Sequence, residues 1–245
     1  MKLYKQFIWA EEESNMLKIE KLDSYYGESK VINDLSLDVP NGKVVCLIGR
    51  NGVGKSTTLK SIMGLVKTPN GSVMLEDKDI TKLTTYDRAK LGIGYVPQGR
   101  DIFPQMTVKE NLELGLQPLG VKGKIPEFVY ELFPILIKFE KRKGGELSGG
   151  QQQQLAIARA LVADPKILIL DEPTEGIQPS IIKDIGNAIK KINRWKSLSI
   201  LIVEQYLEFV LDISDLVYVM EKGHIVLNGE TKGLKEDEIQ KIMTV

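Results

Sequence analysis

An α/β fold with a mixed sheet is predicted for this 245-residue chain by three observations. A short β-branched apolar run, residues 44–48, feeds a glycine-rich loop and then a helical pattern through Leu59, Ile62 and Met63. A second apolar run, residues 167–170, ends in two acids, Asp171 and Glu172. Ahead of both, Val31, Leu35, Leu37 and Val39 alternate with polar residues, as in a half-buried antiparallel strand. At roughly 150 residues per domain the length fits one large domain or a domain with a subdomain. Lys and Arg total 33 against 33 Asp and Glu, with 42% hydrophobic residues, which excludes a disordered chain and a basic nucleic-acid binder. The longest apolar runs are about five residues, whereas a membrane span needs about 20, so none is expected. The single cysteine, Cys46, lies in the first apolar run, where buried packing is its expected role and a cytosolic compartment the expected setting.

Residues 1–15 carry Phe7, Ile8 and Trp9 followed by Glu11, Glu12 and Glu13, without the long apolar region and cleavage site of a signal peptide. They are read as a mobile N-terminal extension. The patterned domain starts at Met16, with Leu17, Ile19 and Leu22 leading to Tyr25, Tyr26 and Gly27, and residues 40–42 (Pro-Asn-Gly) form a turn before the first apolar run.

The loop that follows reads Gly49, Arg50, Asn51, Gly52, Val53, Gly54, Lys55, Ser56, Thr57. Between a strand and a helix this is the context of a phosphate-binding loop. The glycines let backbone N–H groups turn towards a polyphosphate, and the helix N-terminus adds positive partial charge. Lys55 can reach the β and γ phosphates, and the Ser56 hydroxyl can bind Mg²⁺.

Residues 167–170 read as a fully buried parallel strand, which places Asp171 and Glu172 at the strand end where open α/β sheets bind ligands. Alone, the two acids could be an ordinary strand exit. Paired with a phosphate loop, Asp171 is expected to hold Mg²⁺ through water and Glu172 to polarise the water that attacks the γ-phosphate. Between the two regions, Leu147, Ser148, Gly149, Gly150 and Gln151 open a helical pattern through Leu155, Ala158, Leu161 and Val162. A serine and two glycines before a helix make a second anion-binding N-terminus. One nucleotide has one γ-phosphate, so either both loops converge on it within the chain or this loop closes over nucleotide held by another subunit. The glutamines at 151–154 read as a solvated helix face. A helix from Ile181 to Trp195, strands at 200–203 and 216–220, and a turn at Lys222 and Gly223 complete the pattern.

The ordered set of residues 49–57, Gln98, residues 147–151 and residues 167–172 resembles the nucleotide-binding subunit of an ABC transporter over about residues 16–245. The resemblance implies a P-loop NTPase core with an antiparallel β subdomain and an inserted helical subdomain at about 99–162, where Pro104, Pro118, Pro126 and Pro134 would divide the helices. It implies ATP and Mg²⁺ as cofactors, with Tyr26, or as second choice its neighbour Tyr25, stacking on adenine and Gln98 sensing Mg²⁺ and a transmembrane partner. It further implies transmembrane permease subunits, a solute-binding protein acting indirectly, and a second ATPase subunit or a homodimer. The expected location is the cytoplasmic face of the cell membrane, and nucleic acid is not an expected partner.

Two positions depart from the family pattern. Gln205 stands where a histidine usually contacts the γ-phosphate, and Gln178 where an aspartate usually communicates between subunits. The only histidine, His224, is expected at the surface beside a hairpin turn. Residues 97–104, 107–112 and 175–180 resemble the ATPases of importers for branched-chain amino acids and urea, most closely the urea branch, so urea or a short-chain amide is the first expectation. Branched-chain amino acid import is the alternative, followed by a soluble ABC ATPase of iron–sulfur cluster assembly.

Overall fold

Alternating apolar residues make the first two strands, β1 (Asn15–Tyr26) and β2 (Ser29–Pro40), which pair antiparallel in a computed structural model that describes residues 14–117, 120 and 124–244. Leu17, Ile19 and Leu22 of β1 and Ile32, Leu35, Leu37 and Val39 of β2 are buried together. The fold starts slightly earlier than Met16. Asn15 pairs with Pro40, so the last residue of the expected extension belongs to the sheet, and the Ser14 carbonyl beside it accepts a hydrogen bond from the Asn41 N–H. Residues 1–13, including Phe7 to Trp9, lie outside the described residues.

β3 (Val44–Ile48) leads to α1 (Lys55–Ile62) as the sequence predicts. Next come β4 (Lys67–Leu75) and β5 (Lys78–Asp79), which sequence patterning did not identify because Pro69, Asn70 and Gly71 interrupt the alternation of β4. Gly71 has φ +87°, and a Cβ there would lie 2.5 Å from the Lys21 carbonyl oxygen, so this close strand crossing requires glycine. The four strands form an antiparallel sheet in the order β2-β1-β4-β5.

α2 (Thr85–Lys90) and β6 (Ile93–Val96) follow. Between β6 and β7 (Ile167–Asp171) the chain runs mainly as helices: α3 (Val108–Leu114), α4 (Glu127–Leu132), α5 (Ile135–Lys138) and α6 (Gly149–Leu161). Pro126 and Pro134 stand at the N-caps of α4 and α5, and Pro118 lies outside the described residues. α7 (Pro179–Lys196), β8 (Ser199–Glu204), α8 (Leu207–Ile213), β9 (Leu216–Glu221), β10 (His224–Glu230) and α9 (Glu236–Thr244) complete the chain.

The second sheet has the order β10-β9-β3-β8-β7-β6, parallel except for β10 at its edge. Its central strands are apolar between their ends because both faces are covered. Cys46, Ile48, Leu168, Leu170, Ile200 and Ile202 pack into the core shared with α6, α7 and α8. Val45, Leu47, Ile167, Ile169, Leu201 and Val203 pack with α1 and the antiparallel sheet. Burial pushes the Cys46 thiol well above its ordinary range, so it behaves as a packing group.

Candidate functional site at the strand ends of the parallel sheet

β3, β7 and β8 end side by side, so the loops that follow them converge at one edge of the sheet. After β3, residues 49–54 turn the chain into α1. Gly54, the residue before the helix, has φ +114°, and a Cβ there would press on Ile32 at 2.7 Å and Met220 at 2.9 Å. The loop is braced by the Gly223 N–H, which donates to the Val53 carbonyl, and Asn33 donates to Gly223 in turn.

Lys55 is buried at the start of α1. Its Nζ donates to the Arg50 carbonyl at 3.1 Å and pairs with Glu172 Oε1 at 3.2 Å, the Glu172 side chain being equally buried. Ser56 Oγ donates to Asp171 Oδ1 at 2.9 Å, while Asp171 Oδ2 is buried without a partner. Burial pushes the Asp171 carboxyl above its ordinary value, against the pull of the Ser56 bond. A hydroxyl beside a carboxylate with one orphaned oxygen fits a hard divalent cation. Among the described residues no cluster of three or more His, Cys, Asp or Glu could enclose a metal. Such a cation would therefore take most of its ligands from nucleotide and water, the habit of Mg²⁺.

Glu172 has φ +47°, a strained value for a non-glycine residue, held by its N–H bond to the Val203 carbonyl at 2.9 Å. The Gln98 amide donates to Glu172 Oε2 at 3.2 Å and to Glu175 Oε2 at 3.0 Å, so it bridges two carboxylates. A cavity of about 260 Å³ opens here, lined by Gly99, Arg100, Gln153, Glu172, Glu175 and Gly176. A larger groove of about 870 Å³ lies against the antiparallel sheet by Lys18, Glu20, Asn41 and Glu76, away from these converging groups.

Ser148 is the N-cap of α6 and exchanges reciprocal hydrogen bonds with Gln151, a capping box. The glutamine run is not a solvated face. Gln153 and Gln154 are buried, and the Gln152 amide donates to the Gly144 and Leu147 carbonyls. The signal was present in the sequence: residues 150, 154, 157, 158 and 161 follow the spacing of one buried helix face. Among the described residues no hydrogen bond joins 147–151 to 49–57. Arg100 ties the head of α6 to the segment after Glu172 instead: its guanidinium packs on Gly149 and donates to Gln152 Oε1 and the Glu175 carbonyl, both at 3.4 Å.

Tyr26 ends β1 and is 49% exposed, while Val31, on the paired strand, has its carbonyl against Gly54. Gln205 is exposed after β8, its N–H donating to Glu204 Oε2. His224 is exposed beside the β9–β10 turn, and Gln178 is the N-cap residue of α7. Glu204, Glu175 and Arg100 were not singled out from sequence. For Glu204 a signal existed, since an acid closes the apolar run of β8 just as one closes β7.

The ABC transporter family model matches residues 32–175. A "probable branched-chain amino acid transport ATP-binding protein" of Archaeoglobus fulgidus is 40% identical over 226 residues, covering 91% of this chain and 95% of that protein. A high-affinity branched-chain amino acid transport ATP-binding protein of Pseudomonas aeruginosa is 37% identical over 219 residues, covering 87% and 92%. Among solved structures, an ATP-binding cassette in a dimeric post-hydrolysis state bound to ADP and Pi superposes with a TM-score of 0.79 at 26% identity, covering 89% of this chain and all of the other.

Proposed function

The chain belongs to the ABC transporter family as an ATP-binding subunit whose ATP hydrolysis is coupled to transport, and on that premise we propose that it powers an importer of branched-chain amino acids. The observation that carries the solute class is the pair of relatives above, both named for branched-chain amino acid transport and both aligned over nearly the whole chain. The urea reading taken from residues 97–104, 107–112 and 175–180 is not supported, and the branched-chain alternative fits better. Gln98 and Glu175 of those segments contact each other beside Glu172 and residues 107–112 open α3, so they speak to ancestry and carry no solute chemistry.

Lys55 then binds the β and γ phosphates, with the backbone N–H groups of residues 49–57 around them. Tyr26 stacks on adenine. Ser56, Asp171 and Gln98 are the residues that would hold Mg²⁺, and the ion, when bound, would neutralise phosphate charge. In the structure Lys55 and Glu172 neutralise each other. Arrival of a γ-phosphate gives Lys55 a stronger anionic partner and frees Glu172 to accept a hydrogen bond from the attacking water. Ser148 to Gln151 complete the site of a second ATPase subunit, a reading supported by the absence of hydrogen bonds between this loop and 49–57 and by the dimeric cassette it resembles. The second subunit is a paralogue or another copy of this chain. The ATPase domain spans 16–245 together with Asn15, which opens β1, with its helical subdomain at about 99–162, docked on permease subunits at the cytoplasmic face of the membrane. No helix among the described residues is long and apolar enough to cross a membrane.

The test is ATP turnover by the chain reconstituted with its permeases and solute-binding protein in lipid vesicles. Leucine, isoleucine or valine should stimulate hydrolysis and urea should not. Stimulation by urea alone would overturn the assignment of solute.

A further inference from the structure

β7 and β8 are parallel neighbours with Asp171 opposite Val203, so the segments that carry Glu172 and Gln205 leave the sheet together. Glu204 stands between them and is only 1% exposed. Its Oε1 accepts the Thr174 N–H at 3.0 Å and the Thr174 hydroxyl at 2.7 Å. Its Oε2 accepts the Gln205 N–H at 2.9 Å and the Tyr206 N–H at 3.3 Å. A carboxylate offers about four acceptor positions, and four donors address it here.

Three of those donors are backbone N–H groups, which can only donate. The ionised carboxylate is the form that satisfies all of them, since a protonated oxygen or a side-chain amide NH₂ would set a donor against a donor. Burial pushes the Glu204 carboxyl up, and the bonds from Thr174, Gln205 and Tyr206 pull it back. An acid so buried at the end of an apolar strand is costly unless it is fully hydrogen-bonded, and all of these bonds go to the two loops that flank the expected γ-phosphate position.

We propose that Glu204 is a positioning residue for ATP hydrolysis, tying the loop of Glu172 to the loop of Gln205 and so fixing the water-polarising carboxylate relative to the γ-phosphate. The assignment rests on the nucleotide-site reading above. Glu172 has particular need of the tether, because its left-handed backbone is held by its N–H bond to Val203, by the turn in which its carbonyl accepts the Glu175 N–H, and by the anchored Thr174 inside that turn. Lys55 and Ser56 belong to α1 and are not among the Glu204 partners, so loss of the tether should alter the chemical step and spare nucleotide capture.

The experiment compares the full chain with its Glu204→Gln, Thr174→Val, Thr174→Ser and Lys55→Ala variants, measuring the Kd of a fluorescent ATP analogue, the single-turnover rate and Tm. Glu204→Gln should lower the rate about 10- to 100-fold, the scale of a misplaced catalytic group, with Kd changed less than about threefold. Thr174→Val should lower it by a smaller factor in the same way, and Thr174→Ser, which keeps the hydroxyl, should restore it. Unchanged rates in both Glu204→Gln and Thr174→Val would overturn the proposal. So would a fall in rate, nucleotide binding and Tm in step, because that is the pattern of a purely structural residue; if Glu204→Gln does not fold, the Thr174 pair decides by the same criteria. A Kd for ATP left unchanged by Lys55→Ala would overturn the nucleotide-site reading itself, and this proposal with it.

Discussion

The loop of residues 49–54 at the head of α1 and the Ser-Gly-Gly loop at the head of α6 are both glycine-rich helix N-termini, yet they handle charge in opposite ways. At the first, a buried ammonium is neutralised by a buried carboxylate, and a neighbouring carboxylate keeps one oxygen unpartnered. That arrangement is complete in charge but exchangeable, because an incoming phosphate can replace Glu172 at Lys55. At the second, the first turn of α6 holds no acid, Ser148 and Gln151 satisfy each other, and the Arg100 guanidinium adds positive charge against Gly149. Nothing in the second loop exchanges on anion binding. It is a preformed donor array whose counter-charge must come from elsewhere, which is the physical reason to expect it to serve a nucleotide bound by another subunit.

Variants can break or sharpen this contrast. The largest effect is expected from Glu172→Gln, which removes the charge proposed to polarise the attacking water while leaving Lys55 free for phosphate. Hydrolysis should fall about 10²–10⁴-fold with ATP still bound, as read by single-turnover kinetics and nucleotide retention. Wild-type turnover in this variant would take Glu172 out of the chemistry.

Ser148→Arg addresses the other loop. In the assembled complex it should lower turnover by about 10²-fold, the scale of losing one donor to developing charge, and in the isolated chain it should leave the Kd for ATP unchanged. A loss of ATP binding by the isolated chain would mean that both loops serve one nucleotide, and the contrast would collapse. Lys55→Ala should weaken Mg-ATP binding by about 10- to 100-fold, corresponding to about 1.5–3 kcal/mol for hydrogen bonds to a charged group, measurable by calorimetry.

The smallest effect is expected from Gln205→His. A glutamine amide can donate to a γ-phosphate without charge, whereas an imidazolium makes a charge-assisted bond about twice as strong, so ATPase should rise a few-fold. No rise, with the isolated chain already as fast as the complex, would make Gln205 an adequate substitute in a self-sufficient homodimer.

Residues 49–57 and 167–172 were legible in the sequence because their chemistry is carried by adjacent residues and their context by apolar runs a few residues long. The strand at β4 was not, since Pro69, Asn70 and Gly71 erase its alternation and only the partner strand β1 makes it extended. The burial of Gln153 and Gln154 was misread for a related reason. Residue type suggested solvent, while their place on the face shared with Ala158 and Leu161 decided otherwise.

By itself, then, the sequence determined the glycine-rich loop between β3 and α1, the paired acids at the end of β7, the capped second loop and the apolar strands that support them, because each depends on backbone geometry and patterning within about a dozen residues. Only the tertiary structure decided which charges meet. Lys55 finds Glu172, Gln98 spans Glu172 and Glu175, and Glu204 gathers Thr174 together with its own following loop. Most of these partners are far apart in the chain, and strand order brings them to one sheet edge. Low solvent access there makes every unpaired polar group costly, which fixes the pairing.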